Sequence, residues 1–202
     1  MDSGFRPFGR PRNDENTMPG LDQSRQFIPL QIAVLTVSDT RSLDDDKSGA
    51  TLAERIGQAG HAVAARAIVT DEAKKIRSAV KAWIADPSVD VVITTGGTGF
   101  TGRDVTPEAL EPLFEKRMEG FATLFLMVSH AKIGTSAIQT RATAGIAGAT
   151  YIFCLPGSPG ACRDAWDEIL VHQLDYRYRP CNFVEIMPRL DEHLRRAKAQ
   201  SA

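Results

Sequence analysis

Between Thr94 and Gly102 the chain reads TTGGTGFTG, with four threonines and four glycines in nine residues. Glycines let successive backbone amides turn toward a ligand with no Cβ in the way, and neighbouring hydroxyls add donors. Thr95, Gly96, Gly97, Thr98 and Gly99 therefore form a candidate cradle for a phosphate-bearing ligand. A tight surface turn is the alternative that the same residues allow. Two nucleotide motifs come close and fail. Gly97 and Gly102 have P-loop separation, but Arg103-Asp104 stands where that motif needs Lys followed by Ser or Thr. Gly97, Gly99 and Gly102 satisfy Gly-x-Gly-x-x-Gly, yet Thr106-Pro107 opens the next helix later than a dinucleotide fingerprint requires.

Two carboxylates are the other candidates. Asp71 alone reads equally well as a helix N-cap, and Asp104 as a polar residue ahead of a helix capped by Thr106 with Pro107 at its first position. Brought together beside a phosphate cradle, they are two hard oxygen ligands able to hold Mg²⁺ against a nucleotide's phosphates. The run Asp44-Asp45-Asp46 is expected to be a solvated loop. His61 and His130 have no ligand-spaced partners. The three cysteines, Cys154, Cys162 and Cys181, lack CxxC spacing, so neither a disulfide framework nor a zinc site is indicated and a reducing compartment fits. Cys162 shares an apolar helix face with Ala165, Trp166, Ile169 and Leu170, which predicts packing rather than catalysis.

The elements that must position these groups follow from apolar periodicity. Ile32 to Val37, Ala62 to Val69, Val89 to Thr94 and Tyr151 to Leu155 read as strands. Between them, Leu52 to Ala59 with Gly60 as its stop, and Asp71 to Asp86 with Ile76, Val80, Trp83 and Ile84 on one face, read as helices. Further helices are expected near Thr106, over Phe121 to His130 and after the loop Pro156 to Gly160. Leu124, Phe125, Met127 and Val128 are expected to pack in the core or a subunit contact. This alternation predicts a three-layer α/β/α architecture with a mostly parallel sheet. Ligands in such sheets bind at the carboxyl ends of strands, so Ser38-Asp39, Thr70-Asp71 and the glycine loop should converge.

Composition bounds the rest. In 202 residues, 24 Lys plus Arg face 25 Asp plus Glu for a net charge of −1, which gives no basic field for nucleic acid. No spanning run of about 18 apolar residues stands out in the sequence, so no membrane association is expected and a cytoplasmic location is the default. Residues 1–27 read as a flexible arm without an apolar signal region, 28–183 as the ligand-binding domain, and 184–202 as a helical tail whose Arg189, Arg195, Arg196 and Lys198 make it locally basic.

Taken together, these residues resemble the MoaB/Mog family of molybdenum-cofactor biosynthesis proteins. Thr94 to Gly99 followed by Arg103-Asp104-Val105-Thr106-Pro107-Glu108 looks like the family signature. Ser38-Asp39, Lys47-Ser48-Gly49, Thr140-Arg141 with Ala144-Gly145, and Pro156-Gly157-Ser158-Pro159 are similar too, and the likeness covers about residues 30 to 183. Thr140 stands where many members have Ser. Arg179-Pro180-Cys181-Asn182-Phe183 resembles the MoaB branch, which implies a homo-trimer or homo-hexamer. The resemblance implies the molybdopterin-binding fold and adenylylation of molybdopterin by Mg-ATP with release of pyrophosphate. By the same resemblance, Asp71 and Asp104 hold Mg²⁺. Ser38, Asp39, Ser48, Gly49, Thr95, Gly96, Gly97, Thr98, Gly99, Thr140, Arg141, Pro156, Gly157 and Ser158 bind substrate or nucleotide. Arg141 reads equally as an anion ligand or a structural ion pair. A molybdopterin carrier or an assembly protein for other cofactor-synthesis enzymes is the alternative role.

Overall fold

The computed structural model of the chain describes residues 19–193 and 195. In chain order its main elements are β1 (Gly20–Leu21), β2 (Gln31–Val37), α1 (Lys47–Gln58), β3 (Ala62–Val69), α2 (Ala73–Ile84), β4 (Val91–Thr95), α3 (Thr106–Leu110), β5 (Lys116–Arg117), α4 (Glu119–Ile133), β6 (Thr143–Ala147), β7 (Thr150–Leu155), α5 (Pro159–Ala165) and, after further helical turns, β8 (Tyr178–Arg179). Six strands form one sheet in the order β3-β2-β4-β7-β6-β5. The first four run parallel, and β6 and β5 run antiparallel to their neighbours. The two antiparallel strands have no counterpart in the sequence reading, because Thr-Ala-Gly-Ile-Ala and a two-residue strand carry little β-branched or aromatic signal.

Alternation along the buried strands builds two cores. Ile32 and Val34 of β2 join Leu52 and Ile56 of α1, Phe121 and Phe125 of α4, and Trp166 on one side. Ala33, Leu35 and Val37 join Ile76 and Val80 of α2 and Leu110 of α3 on the other. Helices thus cover both faces of a central sheet, the expected three-layer arrangement. The parallel register sets the carboxyl ends of β2, β3 and β4 side by side, with Thr36 opposite both Ile68 and Thr95. Cys162 is wholly buried as expected, and burial pushes its thiol up to about 11.

Three expectations are corrected. The arm does not extend to residue 27: Gly20–Leu21 pairs with Tyr178–Arg179, and Arg25 stacks on Tyr176 while donating to its carbonyl. The rest of that arm, residues 1–18, lies outside the described residues, as do Arg196 and Lys198. At the other end Val184 belongs to the core, and Met187 and Leu190 pack against it, so the packed unit runs past 183. Finally, Glu119–Gln139 is long and apolar enough to cross a membrane by length and composition, contrary to the sequence reading. Its backbone breaks at Gly134 (φ 58°, ψ −141°), and Phe121 and Phe125 are buried against the sheet.

Candidate functional site

The glycine loop follows directly from β4. Gly96 (φ 100°) and Gly97 (φ 63°) occupy the left-handed region that L side chains avoid, and a Cβ on Gly96 would collide with the Val37 carbonyl of β2. A Cβ on Gly97 would strike the Thr106 hydroxyl and lie 2.8 Å from Asp71 Oδ1. One on Gly99 would lie 2.7 Å from Asp104 Oδ2. The two carboxylates therefore lie against Gly97 and Gly99 of the cradle. Thr106 closes the loop from below, donating its hydroxyl to the Gly96 carbonyl (2.8 Å) and its amide to the Gly97 carbonyl (2.9 Å). It does not cap α3, as the sequence suggested; that helix has no side-chain cap.

Asp71 is likewise no helix cap. Glu72 holds the N-cap position of α2, which leaves the Asp71 carboxyl for the sheet edge. Its amide donates to Asp39 Oδ1 (3.0 Å), joining the β3 and β2 ends. Burial, together with the like charges of Asp39 and Asp104, raises the Asp71 pKa above the ordinary carboxylate value. Asp104 goes the other way. The hydroxyl of Thr101 (2.5 Å) and its amide (2.9 Å) donate to Asp104 Oδ2 and hold that carboxyl below the usual range. Asp39 is lowered mainly by Arg103, whose Nε and Nη2 reach its two oxygens at 2.7–3.0 Å.

The second loop seats against the first. A Cβ on Gly157 would lie 3.1 Å from the Gly96 Cα, so the two glycine turns meet backbone to backbone. Thr95 donates its hydroxyl to the Pro156 carbonyl (2.9 Å), and Ser48 donates to the Gly157 carbonyl (2.9 Å). These two hydroxyls tie loops together rather than face a ligand. Ser158 caps α5 by accepting from the Ala161 amide (3.1 Å), and Ser38 accepts from the amides of Thr40 and Arg41, shaping the first turn. Arg141 makes contacts within the protein. Its guanidinium donates to the carbonyls of Thr98 (3.2 Å) and Asp104 (2.9 Å), pairs with Glu108, and lies 5.7 Å from the centroid of the exposed Phe100 ring.

Asp46 corrects the expectation of a solvated acidic loop. It is buried, caps α1 through the Gly49 amide (2.9 Å), accepts from Thr36 (2.7 Å) and pairs with Arg66 (2.9 Å). Burial pushes its pKa up, but Arg66, the Gly49 amide and Thr36 outweigh that and hold it low. Gly49 is required here, because a Cβ would run into the Asp46 carboxylate and the Thr36 hydroxyl.

Gly97, Thr98, Gly99 and Asp104 line a cavity of about 400 Å³ together with the polar Ser129, Ser136, Gln139 and Thr140, the apolar Phe125, Ile133, Ala137 and Ala161, and Pro156, Gly157 and Ser158. Ser129, Ser136 and Gln139 are absent from the sequence reading. Their one signal is polarity within the apolar stretch 119–139. A larger cleft of about 760 Å³ lies on the outer side of α4 among Leu126, Met127 and Ile138. It contains neither Asp71 nor Asp104, whereas the smaller cavity is lined by Asp104 and the cradle glycines.

No group of three or more Asp, Glu, His or Cys among the described residues is placed to hold a metal ion. The site nevertheless suits Mg²⁺, which commonly takes one or two carboxylates and completes its octahedron with water and phosphate oxygens. The charge of Asp104 is felt at Asp71, and the two carboxylates would offer hard oxygen ligands to a divalent cation that relieved that repulsion.

Comparison with known proteins places this arrangement. The family described as "Probable molybdopterin binding domain" matches residues 33–176. "Molybdenum cofactor biosynthesis protein B" of Escherichia coli strain K12 is 52% identical over 160 residues, covering 79% of this chain and 94% of that protein. The crystal structure of a molybdenum cofactor biosynthesis protein B aligns with a TM-score of 0.72 at 42% identity, covering 74% of this chain and 94% of the other. The tungsten cofactor synthesizing protein MoaB from Pyrococcus furiosus aligns with a TM-score of 0.67 at 32% identity, over 81% of this chain and 98% of its own.

Proposed function

Because the chain belongs to the MoaB/Mog family of probable molybdopterin binding domains, we propose that it acts in molybdenum cofactor biosynthesis by adenylylating molybdopterin. In this reaction the terminal phosphate oxygen of molybdopterin attacks the α-phosphorus of ATP. The new P–O–P bond forms as the bond to the β-phosphate oxygen breaks, giving adenylyl-molybdopterin and pyrophosphate. A phosphate monoester with a second pKa of about 6 is already largely dianionic at neutral pH, so the nucleophile needs no general base. The work left to the protein is positioning and charge neutralisation.

The observation that carries this reading is the placement of Asp71 against Gly97 and Asp104 against Gly99 of the cradle, with Asp104 lining a cavity that also holds Ser129, Ser136, Gln139 and Thr140 among apolar side chains. The amides of Gly97 and Thr98 would take a phosphate, since the Gly96 amide donates to the Leu155 carbonyl (3.1 Å) and the Gly99 amide serves the Asp104 carboxylate, and Thr140, Ser129 and Gln139 would meet the polar edge of the pterin. Asp71 and Asp104 would hold Mg²⁺, which supplies Lewis-acid polarisation of the transferring phosphoryl group. Thr95, Ser48, Ser158 and Arg141 keep the two loops in register rather than contact the reacting atoms. The exposed apolar side of α4, with Leu124, Leu126 and Met127, supports a homo-trimer or homo-hexamer. A cytoplasmic setting suits the chemistry.

The test is turnover: purified protein with molybdopterin and Mg-ATP should give adenylyl-molybdopterin and equimolar pyrophosphate. Tight molybdopterin binding without either product would assign the carrier role instead.

A further inference from the structure

Two arginines flank the turn that carries Asp104, and the structure treats them differently. Arg141 is committed, with its guanidinium donating to the Thr98 and Asp104 carbonyls and paired with Glu108. Arg103 has the carboxylate of Asp39 as its hydrogen-bonding partner, and the pair faces solvent, with side-chain exposures of 62% and 37%. An ion pair that exposed gains little net stability, since water and salt screen it. It is geometrically well made and energetically easy to exchange.

The backbone permits the exchange. Thr101 to Asp104 forms a turn closed at its base by the Asp104 amide donating to the Thr101 carbonyl (3.0 Å) and by the Asp104 carboxylate accepting from the Thr101 amide (2.9 Å). The tip is open, and a Cβ on Gly102 would meet nothing within 4 Å. Arg103 can therefore reorient its side chain while Asp104 stays in place. Its partner Asp39 also accepts from the Asp71 amide, so Arg103 is one hydrogen-bonded step from the strand end that carries Asp71.

Charge sets the direction of movement. The proposed reaction brings a triphosphate to an edge that already holds Asp39, Asp71 and Asp104, and one divalent cation does not balance that sum. Arg103 is the nearby cation whose present partner is weakly held, and a guanidinium prefers a bidentate phosphate contact. Resting on the reading of this site as a nucleotide-dependent one, we propose that Arg103 is an exchangeable cation for the nucleotide phosphates: Asp39 holds it at rest and releases it to the triphosphate when ATP binds. Asp39 is then a positioning residue that sets the resting place of this cation.

A double-mutant cycle on the full chain, read as ATP affinity by calorimetry at fixed Mg²⁺, separates exchange from a plain charge effect. The exchange predicts that Arg103→Ala weakens ATP binding about tenfold and that Asp39→Asn tightens it, the gain being at least about threefold larger with Arg103 present than in the Arg103→Ala background. The Asp39→Asn change keeps an acceptor for the Asp71 amide, and Arg103→Gln serves if the alanine variant does not fold. Equal gains in the two backgrounds, unchanged or weaker binding by Asp39→Asn, or unchanged binding by Arg103→Ala would each overturn the exchange while leaving the site's function intact. Native protein that binds no ATP would overturn the adenylylation reading itself, and the exchange with it.

Discussion

At the scale of single residues, the two aspartates that define the site stand in opposite energetic positions. Asp71 is pushed toward its neutral form by burial and by Asp39 and Asp104, so its charge at neutral pH works against folding. Asp104 is pulled toward its charged form by Thr101, so its charge works for folding. Asp71→Asn should therefore melt higher than native protein by about 1–3 °C while turnover falls at least about a hundredfold, the usual sign of a residue kept for function. Asp104→Ala should lose turnover to a similar extent and also lose about 0.5–1 kcal/mol of stability, because the two hydrogen bonds that close the Thr101 turn are replaced by bonds to water. Paired thermal melts and turnover assays check both, and equal destabilisation by the two would refute the asymmetry. The pair itself was legible in the sequence, since both residues follow expected strand ends. Arg103's bond to Asp39 was not, because a contact across 64 positions leaves no local pattern.

At the scale of elements, the four parallel strands were readable because apolar runs of this kind, broken by Ser-Asp, Thr-Asp or Thr-Gly, have few alternatives. β6 and β5 were hidden because small residues and a two-residue pairing carry no periodicity. Asp46 shows the same limit at an element's end. As one of three consecutive aspartates it looked solvated, yet its partners Thr36 and Arg66 come from β2 and β3, and it caps α1. Asp46→Ala should cost about 3 kcal/mol in urea unfolding, because it removes the cap and leaves Arg66 without its buried counter-charge. Since Asp46 is held below its unfolded pKa, its contribution should be present at neutral pH and lost as pH falls through its folded value. His61 titrates against folding in a different window. It is buried between Phe27 and Trp166, accepts from the Leu30 amide through Nδ1 (3.1 Å), and is lowered from 6.5 by burial despite the nearby Asp175. The unfolded chain therefore takes up this proton first, and stability should fall as pH drops below about 6.5. His61→Gln should flatten that part of a melting-temperature profile, and an unaltered slope would assign it to other groups.

At the scale of the whole molecule, α4 links the site to the outer surface. Its inner side buries Phe121 and Phe125, its C-terminal part lines the cavity through Ser129 and Ile133, and its outer side leaves Leu124 and Met127 more than half exposed. This exposed apolar surface is where the proposed assembly would close. Light scattering should find a trimer or hexamer at micromolar concentration, with Met127→Glu shifting it toward monomer, whereas a native monomer would contradict the assembly. The organisation along the chain was legible only in part: residues 19–27 looked like an unattached arm, yet β1 pairs with β8 at the far end of the sequence.

Whether this cradle transfers an adenylyl group decides the function proposed for the molecule. The direct measurement is mass spectrometry of native protein, Asp71→Asn and Asp104→Asn after reaction with molybdopterin and Mg-ATP. The account predicts adenylyl-molybdopterin from native protein and none above background from either variant. Bound but unmodified molybdopterin in the native sample, with the substrate verified active, would contradict it.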